Sequence, residues 1–88
     1  MESSVLIIDD DVELCALMKK CISQERFSAD IAYTGKEGLS KLTERNNVYC
    51  LVILDVILSD IDGFQILSEI RKDSAVPVLM LTAKAIWY

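Results

Sequence analysis

Three short aliphatic runs, each ending at a polar residue, constrain the fold of this chain most strongly. They are residues 5–8 followed by Asp9, residues 51–54 followed by Asp55, and residues 78–81 followed by Thr82. Continuous runs of this length, rich in β-branched residues, are typical of parallel strands that are covered on both faces. The sequence therefore predicts a buried parallel sheet with polar side chains at the carboxyl ends of three strands.

Helical patterns separate these runs. After Asp11, five apolar residues recur at the spacing of one helical stripe, which we expect to face the sheet: Leu14, Leu17, Met18, Cys21 and Ile22. Residues 27–33 alternate in polarity, and this pattern predicts a strand at the edge of the sheet.

Two further helices have recognisable starts. Thr34 and Glu37 have the spacing of a capping box, and Leu39 and Leu42 are predicted to face inward from the helix that follows. Residues 62–65 can open a third helix, whose apolar side would consist of Phe64, Leu67 and Ile70.

Strands that alternate with helices imply an α/β fold with right-handed crossovers. In the flavodoxin-like order 2-1-3-4, the first and third strands are neighbours, and ligands bind outside the carboxyl ends of the strands. Asp9, Asp55 and Thr82 would then share one crevice.

Composition excludes several classes of protein. A chain of 88 residues that is 52% hydrophobic can form one compact domain and is not disordered. The net charge of −5, without a Lys/Arg cluster, argues against binding to nucleic acid or to an anionic membrane. The apolar runs are too short for a secretion signal or a membrane span.

Histidine is absent from the sequence, which excludes histidine-based metal ligation and catalytic triads. Cys15, Cys21 and Cys50 are odd in number and lack the C-x-x-C spacing of zinc sites and redox motifs. We interpret them as buried free thiols in a reducing cytoplasm.

Asp9, Asp10 and Asp55 are the residues expected to carry the chemistry. Two carboxylates about 4 Å apart repel by roughly 4 kcal/mol at an effective dielectric constant near 20. Protonation of one acid or a bound divalent cation would relieve this repulsion. If a cation binds, oxygen ligands without nitrogen or sulfur suit Mg²⁺ better than Zn²⁺. Such an ion would keep Asp55 ionised as a nucleophile, and Thr82 could donate a hydrogen bond to a phosphoryl oxygen.

Three segments resemble the signature blocks of response-regulator receiver domains from two-component signalling systems. They are residues 7–11 (IIDDD), 54–63 (LDVILSDIDG) and 81–83 (LTA). The resemblance covers essentially the whole chain and implies that Asp55 is the phosphoacceptor. It also implies three contributions to a Mg²⁺ site: Asp10 would bind the ion directly, Asp9 mainly through water, and Ile57 through its backbone carbonyl. Thr82 and the Ala83 backbone N–H would lie near the phosphoryl oxygens.

The same resemblance implies a histidine kinase as the partner and, in many members, a transcriptional output domain. Such a domain assists its own phosphorylation but is a signalling module and not an enzyme with turnover. We expect residues 1–88 to form a partial receiver domain, without a second domain and without the family's fifth strand and last helices.

The sequence departs from the family pattern at two places. Ser59 stands where the family usually has proline, which loosens the loop after the phosphoacceptor but removes no ligand. The chain also ends at Tyr88, before the family's strand-end lysine, and Lys84 is too close to Thr82 to replace it. Trp87 and Tyr88 are read as part of a helix without its continuation. The uncovered edge and faces predict a homodimer, a swapped assembly or poor solubility.

Other interpretations remain open at this point. Residues 9–11 could simply cap the first helix, and Asp60, Asp62 and Gly63 are assigned only to a turn and a helix start. A degenerate receiver that mediates protein–protein contact is the main alternative function. A Mg²⁺-dependent phosphohydrolase ranks last, because Val56 and Ile57 occupy the positions where such enzymes generally carry a second acid.

Overall fold

The computed structural model describes residues 3–44, 49–82 and 86–87. Within these residues, strands and helices alternate along most of the chain. The elements are β1 (Ser3–Ile8), α1 (Val12–Gln24), β2 (Phe27–Ala32), α2 (Gly35–Glu44), β3 (Tyr49–Asp55), α3 (Gly63–Asp73), β4 (Val78–Leu81) and β5 (Ile86–Trp87). None of the helices in the described ranges combines the length and hydrophobicity needed to cross a membrane.

The strands form one sheet in the order β2-β1-β3-β4-β5. The pairs β1–β2, β1–β3 and β3–β4 are parallel, which confirms the predicted flavodoxin-like order 2-1-3-4. β2 lies at the edge of the sheet, as its alternating pattern predicted. The parallel order places the carboxyl ends of β1, β3 and β4 along the same side of the sheet.

The end of the described chain differs from the prediction. Trp87 lies in β5, which pairs antiparallel with β4 through Leu79–Trp87 and Met80–Ile86, so the helical interpretation of Trp87 is wrong. A sheet edge presents unpaired backbone N–H and C=O groups, and β5 pairs with those of β4. This strand is antiparallel and therefore differs from the parallel strands that precede it. Tyr88 lies outside the described residues.

The sheet is covered on two faces. On the face of α2 and α3, Leu6, Ile8, Val52 and Leu54 are fully buried with the α3 residue Ile66. On the face of α1, a second cluster contains Val5, Ile7, Cys15, Ala29 and Ile53. Alternate residues of β1 and β3 thus enter opposite cores, which is why their sequences are continuously apolar.

The predicted helix starts are present in the structure. The Asp11 carboxylate caps α1 by accepting the Leu14 backbone N–H at 3.0 Å, and Asp62 caps α3 by accepting the Phe64 N–H at 2.8 Å. At α2, Thr34 Oγ1 accepts the Glu37 N–H at 3.1 Å, and Glu37 Oε1 accepts the Tyr33 N–H at 2.8 Å. Side-chain acceptors therefore satisfy N–H groups that have no partner within the helix.

The inward face of α1 is rotated from the predicted stripe. Leu14 and Leu17 are 37% and 59% exposed, whereas Cys15 is fully buried and Met18 and Ile22 are partly buried. The sequence contains two overlapping apolar stripes, and the one with the small Cys15 side chain packs on the sheet.

The inward face of α3 also differs from the prediction. Ile66 is fully buried although the prediction omitted it, and Phe64 is 46% exposed. In α2, Leu39 and Leu42 pack against the core as predicted.

The cysteines are the remaining difference. All three cysteines are free, but only Cys15 is buried; Cys21 and Cys50 are exposed, so the expectation of buried thiols is wrong for these two.

Candidate functional site

Register brings two of the acids side by side. Ile8 of β1 pairs with Leu54 of β3, so Asp9 and Asp55, the next residue on each chain segment, lie at the same level of the sheet. Asp10 follows in the β1–α1 connection. Carboxylate oxygens of Asp9, Asp10 and Asp55 all lie within 4.8 Å of one another. Asp55 thus forms one acidic cluster with Asp9 and Asp10, which lie 46 and 45 positions before it in the chain.

An open cavity of about 470 Å³ lies at this cluster. Its lining includes Thr82, at the end of β4, and Ile57, two residues after Asp55. The remaining lining residues are Asp9, Asp10, Asp11, Leu14, Asp55, Val56 and Leu81. The predicted site residues that fall within the described chain therefore meet at one cavity, whereas Ala83 lies outside the described residues.

Asp9 is the buried member of the cluster, with 3% of its surface exposed. Burial raises the pKa of its carboxyl group above the usual value, and the negative charges of Asp55 and Asp10 raise it further. The Asp11 backbone N–H, which donates to Asp9 Oδ1 at 2.9 Å, opposes this shift. Keeping all three acids ionised is therefore unfavourable, and a bound cation would relieve it.

Asp55 is partly exposed to the cavity and ends β3. Its Oδ1 atom accepts the Ile57 backbone N–H at 3.2 Å, and this bond folds the chain back toward the carboxylate. The Val56 N–H donates to the Leu81 carbonyl at 3.2 Å, which ties the start of the β3–α3 loop to β4. Hydrogen bonds to the backbone thus hold both the Asp55 side chain and the residue that follows it.

Gly63 closes the other end of the same loop. Its N–H donates to the Val56 carbonyl at 2.9 Å, and a Cβ atom built on it would lie 2.6 Å from the Asp55 carbonyl oxygen. A side chain here would collide with backbone next to the acid cluster. Gly63 therefore has a packing role beside Asp55, in addition to the predicted role at a helix start.

Sequence reasoning assigned Asp60 only to a turn, but its carboxylate reaches the N-terminus of α2. Oδ1 accepts the Gly35 N–H at 2.9 Å, and Oδ2 accepts the Lys36 N–H at 3.1 Å. These two bonds hold the pKa of Asp60 below its usual value, and the bond from Gly35 contributes more than the bond from Lys36. The contact joins residues 25 positions apart, and no local sequence pattern signals it.

Cys15 lies directly behind the acid cluster. Its thiol donates to the Asp9 carbonyl oxygen at 3.3 Å. Burial, followed by the negative charge of Asp9, raises the pKa of this thiol to about 11. The thiol therefore stays protonated near neutral pH, which argues against a role as a nucleophile or metal ligand.

The donor set of the cluster suits a hard divalent cation. Three carboxylates supply oxygen atoms from two neighbouring strand ends, with the Ile57 backbone at the same cavity. Oxygen-only sites of this kind match Mg²⁺, which keeps several waters and is commonly held by one or two carboxylates. Burial is the main cause of the raised pKa of Asp9, and the neighbouring negative charges of Asp55 and Asp10 add to it.

Comparison with known proteins gives a consistent result. The profile of the response regulator receiver domain matches residues 5–86. The transcriptional regulatory protein CpxR homolog of Haemophilus influenzae is 45% identical over 82 residues, covering 93% of this chain and 35% of that protein. The response regulator ArlR of Staphylococcus haemolyticus is 33% identical over 86 residues, covering 98% of this chain and 38% of that protein.

A solved structure is similarly close. A response regulator receiver domain protein from Clostridium thermocellum superposes with a TM-score of 0.86 at 30% identity. The match covers 91% of this chain and 64% of that structure. The chain thus spans about a third of the length of these two curated relatives, at 35% and 38%.

Proposed function

Because this chain belongs to the response regulator receiver domain family of two-component systems, we propose that Asp55 accepts a phosphoryl group from a histidine kinase in a Mg²⁺-dependent reaction. The observation that carries this proposal is the approach of three carboxylates from two strand ends to within 4.8 Å. Such a cluster serves little structural purpose, because like charges repel and one of the acids is buried.

Four groups would hold the ion. Asp10 and Asp55 would each contribute a carboxylate oxygen, Ile57 its backbone carbonyl, and Asp9 would act mainly through a bound water. When bound, Mg²⁺ would neutralise the negative charge that gathers between the carboxylates and the incoming phosphoryl oxygens.

The transfer itself uses the Asp55 carboxylate as the nucleophile. One carboxylate oxygen forms a bond to phosphorus while the bond from phosphorus to the kinase's histidine nitrogen breaks, and the imidazole leaves. The product is an aspartyl phosphate, and no proton has to be removed from an ionised carboxylate. In-line approach requires an accessible oxygen, and Asp55 lines an open cavity and is partly exposed.

Two groups after β4 would respond to the phosphoryl group. The Thr82 hydroxyl would donate a hydrogen bond to a phosphoryl oxygen. The family resemblance implies that the Ala83 backbone N–H would also serve these oxygens. This new contact shifts the equilibrium of the surface beyond Thr82 and so signals to an output domain, which we propose to be transcriptional. The domain acts in the cytoplasm as a signalling module and does not turn over substrate.

Intact mass measurement tests the proposal. The full natural protein that contains this chain is incubated with acetyl phosphate and Mg²⁺, and Asp55→Asn serves as the matched control, because it keeps the side-chain shape and removes the nucleophilic carboxylate. We expect one phosphoryl adduct on the wild type, dependent on Mg²⁺, and none on the variant.

Absence of an adduct on the wild type would contradict phosphoryl transfer. If Asp10→Ala also left partner binding unchanged and Mg²⁺ did not bind, the alternative of a degenerate receiver that only contacts other proteins would replace it.

A further inference from the structure

The β3–α3 loop, residues 56–62, carries Ile57 and connects Asp55 to α3. Ile57 is 80% exposed, and Ser59 and Asp60 are also exposed, so the middle of the loop gains little from burial. Serine at position 59 does not restrict its own φ angle as a proline would. The conformation at these exposed positions therefore depends on hydrogen bonds more than on burial.

The first part of the loop has such bonds close to Asp55. The Ile57 N–H donates to Asp55 Oδ1 at 3.2 Å, and the Gly63 N–H donates to the Val56 carbonyl at 2.9 Å. Further along, Leu58 and Ile61 pack partly against the core on the α2/α3 face. These contacts bring the two ends of the loop together and hold the loop against the α2/α3 face of the sheet.

Asp60 adds a second point of attachment. Both of its carboxylate oxygens are used, one by the Gly35 N–H at 2.9 Å and one by the Lys36 N–H at 3.1 Å. These N–H groups belong to the first turn of α2 and have no acceptor within the helix. The negative charge also faces the positive end of the helix dipole. One side chain thus bridges two backbone groups of another element.

The N-terminus of α2 is a firm anchor without Asp60. Thr34 Oγ1 accepts the Glu37 N–H there, the Glu37 carboxylate accepts the Tyr33 N–H, and Gly35 is buried against Ile66. Because the helix end is also held by its own residues, the Asp60 contact adds more to the attachment of the loop than to that of the helix.

We propose that Asp60 is a positioning residue for the candidate Mg²⁺ site: by clamping the β3–α3 loop to the N-terminus of α2, it holds the Ile57 backbone carbonyl toward the space between Asp10 and Asp55. This inference rests on the proposed function of the acid cluster. Asp60 touches neither the ion nor the phosphoryl group; it acts through the loop, as outer-shell partners orient metal ligands elsewhere.

Mg²⁺ titration calorimetry on the full natural protein tests this role, with three variants. Asp60→Ala removes both acceptors, Asp60→Asn keeps one, and Thr34→Ala weakens the same helix end without touching the loop. We expect the Mg²⁺ dissociation constant to rise about tenfold for Asp60→Ala, in the range for outer-shell partners. It should rise less for Asp60→Asn and change less than about twofold for Thr34→Ala. Urea unfolding of each variant shows that the protein measured is folded.

The outcomes separate the two proposals. If the wild type binds Mg²⁺ and Asp60→Ala binds it equally well, the positioning role is overturned while the proposed function stands. Equal weakening by Asp60→Ala and Thr34→Ala would also overturn it, because the effect would then come from α2 itself. If the wild type binds no Mg²⁺, the proposed function fails and the positioning role fails with it.

Discussion

Asp9 and Asp60 lie at the same polar end of the sheet, yet their surroundings shift their pKa values in opposite directions. Asp9 is buried beside Asp55 and Asp10, and its pKa is raised. Asp60 is exposed and accepts two backbone N–H groups at the start of α2, and its pKa is lowered. A carboxylate that accepts backbone N–H groups is stabilised as an anion by the protein itself. Carboxylates that face one another repel, and a bound cation can offset that repulsion.

This difference separates a structural acid from acids available for chemistry. The positive end of α2 already balances the charge of Asp60, so this carboxylate attracts a cation only weakly. The charges of the cluster formed by Asp9, Asp10 and Asp55 are balanced only in part, by the Asp11 N–H at Asp9 and the Ile57 N–H at Asp55. The Asp60 contact stabilises the fold without any ligand, whereas a bound dication would be needed to offset the repulsion within the acid cluster.

The largest expected effect is on Mg²⁺ affinity. Asp10→Asn removes one ligand charge from the cluster, and we expect the dissociation constant to rise by about a hundredfold or more, at or beyond the upper end for outer-shell partners. Asp73→Asn, an exposed acid in the last position of α3, is the matched control for loss of one negative charge and should leave affinity within about twofold. Titration calorimetry gives both values. Similar losses in the two variants would mean that net charge, and not the cluster, attracts the ion.

The next effect concerns the glycines at the two attachment points. In Gly63→Ala, the new Cβ would lie 2.6 Å from the Asp55 carbonyl oxygen and 2.7 Å from the Val56 backbone, which cannot move freely. We expect the free energy of unfolding to fall by about 2 kcal/mol, as for overpacked sites. In Gly35→Ala, the nearest atom is the flexible Cδ1 end of Ile66 at 2.5 Å, so a smaller loss is expected. Urea unfolding measures both, and a larger loss for Gly35→Ala would contradict the tighter packing beside Asp55.

A smaller effect on stability distinguishes Asp10 from Asp60 in the absence of Mg²⁺. Asp10→Asn relieves repulsion between charges that lie within 4.8 Å of one another. Because Asp10 is exposed, we expect a gain in unfolding free energy of about 1 kcal/mol at low ionic strength, decreasing with added salt. Asp60→Asn should lower stability instead, since it removes an acceptor. Urea unfolding in EDTA at two salt concentrations tests the contrast, and a loss of stability in both variants would contradict it.

Most of the fold and the acid cluster could be predicted because they depend on regular patterns. The aliphatic runs before Asp9 and Asp55 identify buried parallel strands, and neighbouring parallel strands bring their ends together. The capping box of Thr34 and Glu37 was equally visible, because it depends on residues three positions apart.

The features that could not be predicted depend on tertiary detail. The reach of Asp60 to Gly35 depends on the path of a loop and on the position of a helix that precedes it in the chain. The inward face of α1 was ambiguous because Leu14 and Cys15 begin two overlapping apolar stripes. The antiparallel pairing of Trp87 depends on an available edge of β4, which no residue near Trp87 signals.

The smallest expected effect is the pH dependence that Asp60 gives to stability. The folded pKa of Asp60 lies below its ordinary value of 3.8, because the Gly35 and Lys36 N–H groups favour the ionised form. Between the folded pKa and 3.8, the unfolded chain binds more protons than the folded one, so the contribution of Asp60 is present above 3.8 and is lost as pH falls through the folded pKa. The difference in unfolding free energy between the wild type and Asp60→Asn should therefore be constant near neutral pH and shrink below 3.8. Urea unfolding of both proteins over that range measures it. A difference that stays constant into acid would mean that the two backbone bonds do not favour the charged form of Asp60. The contrast with Asp9 would then rest only on the burial of Asp9 and on the charges beside it.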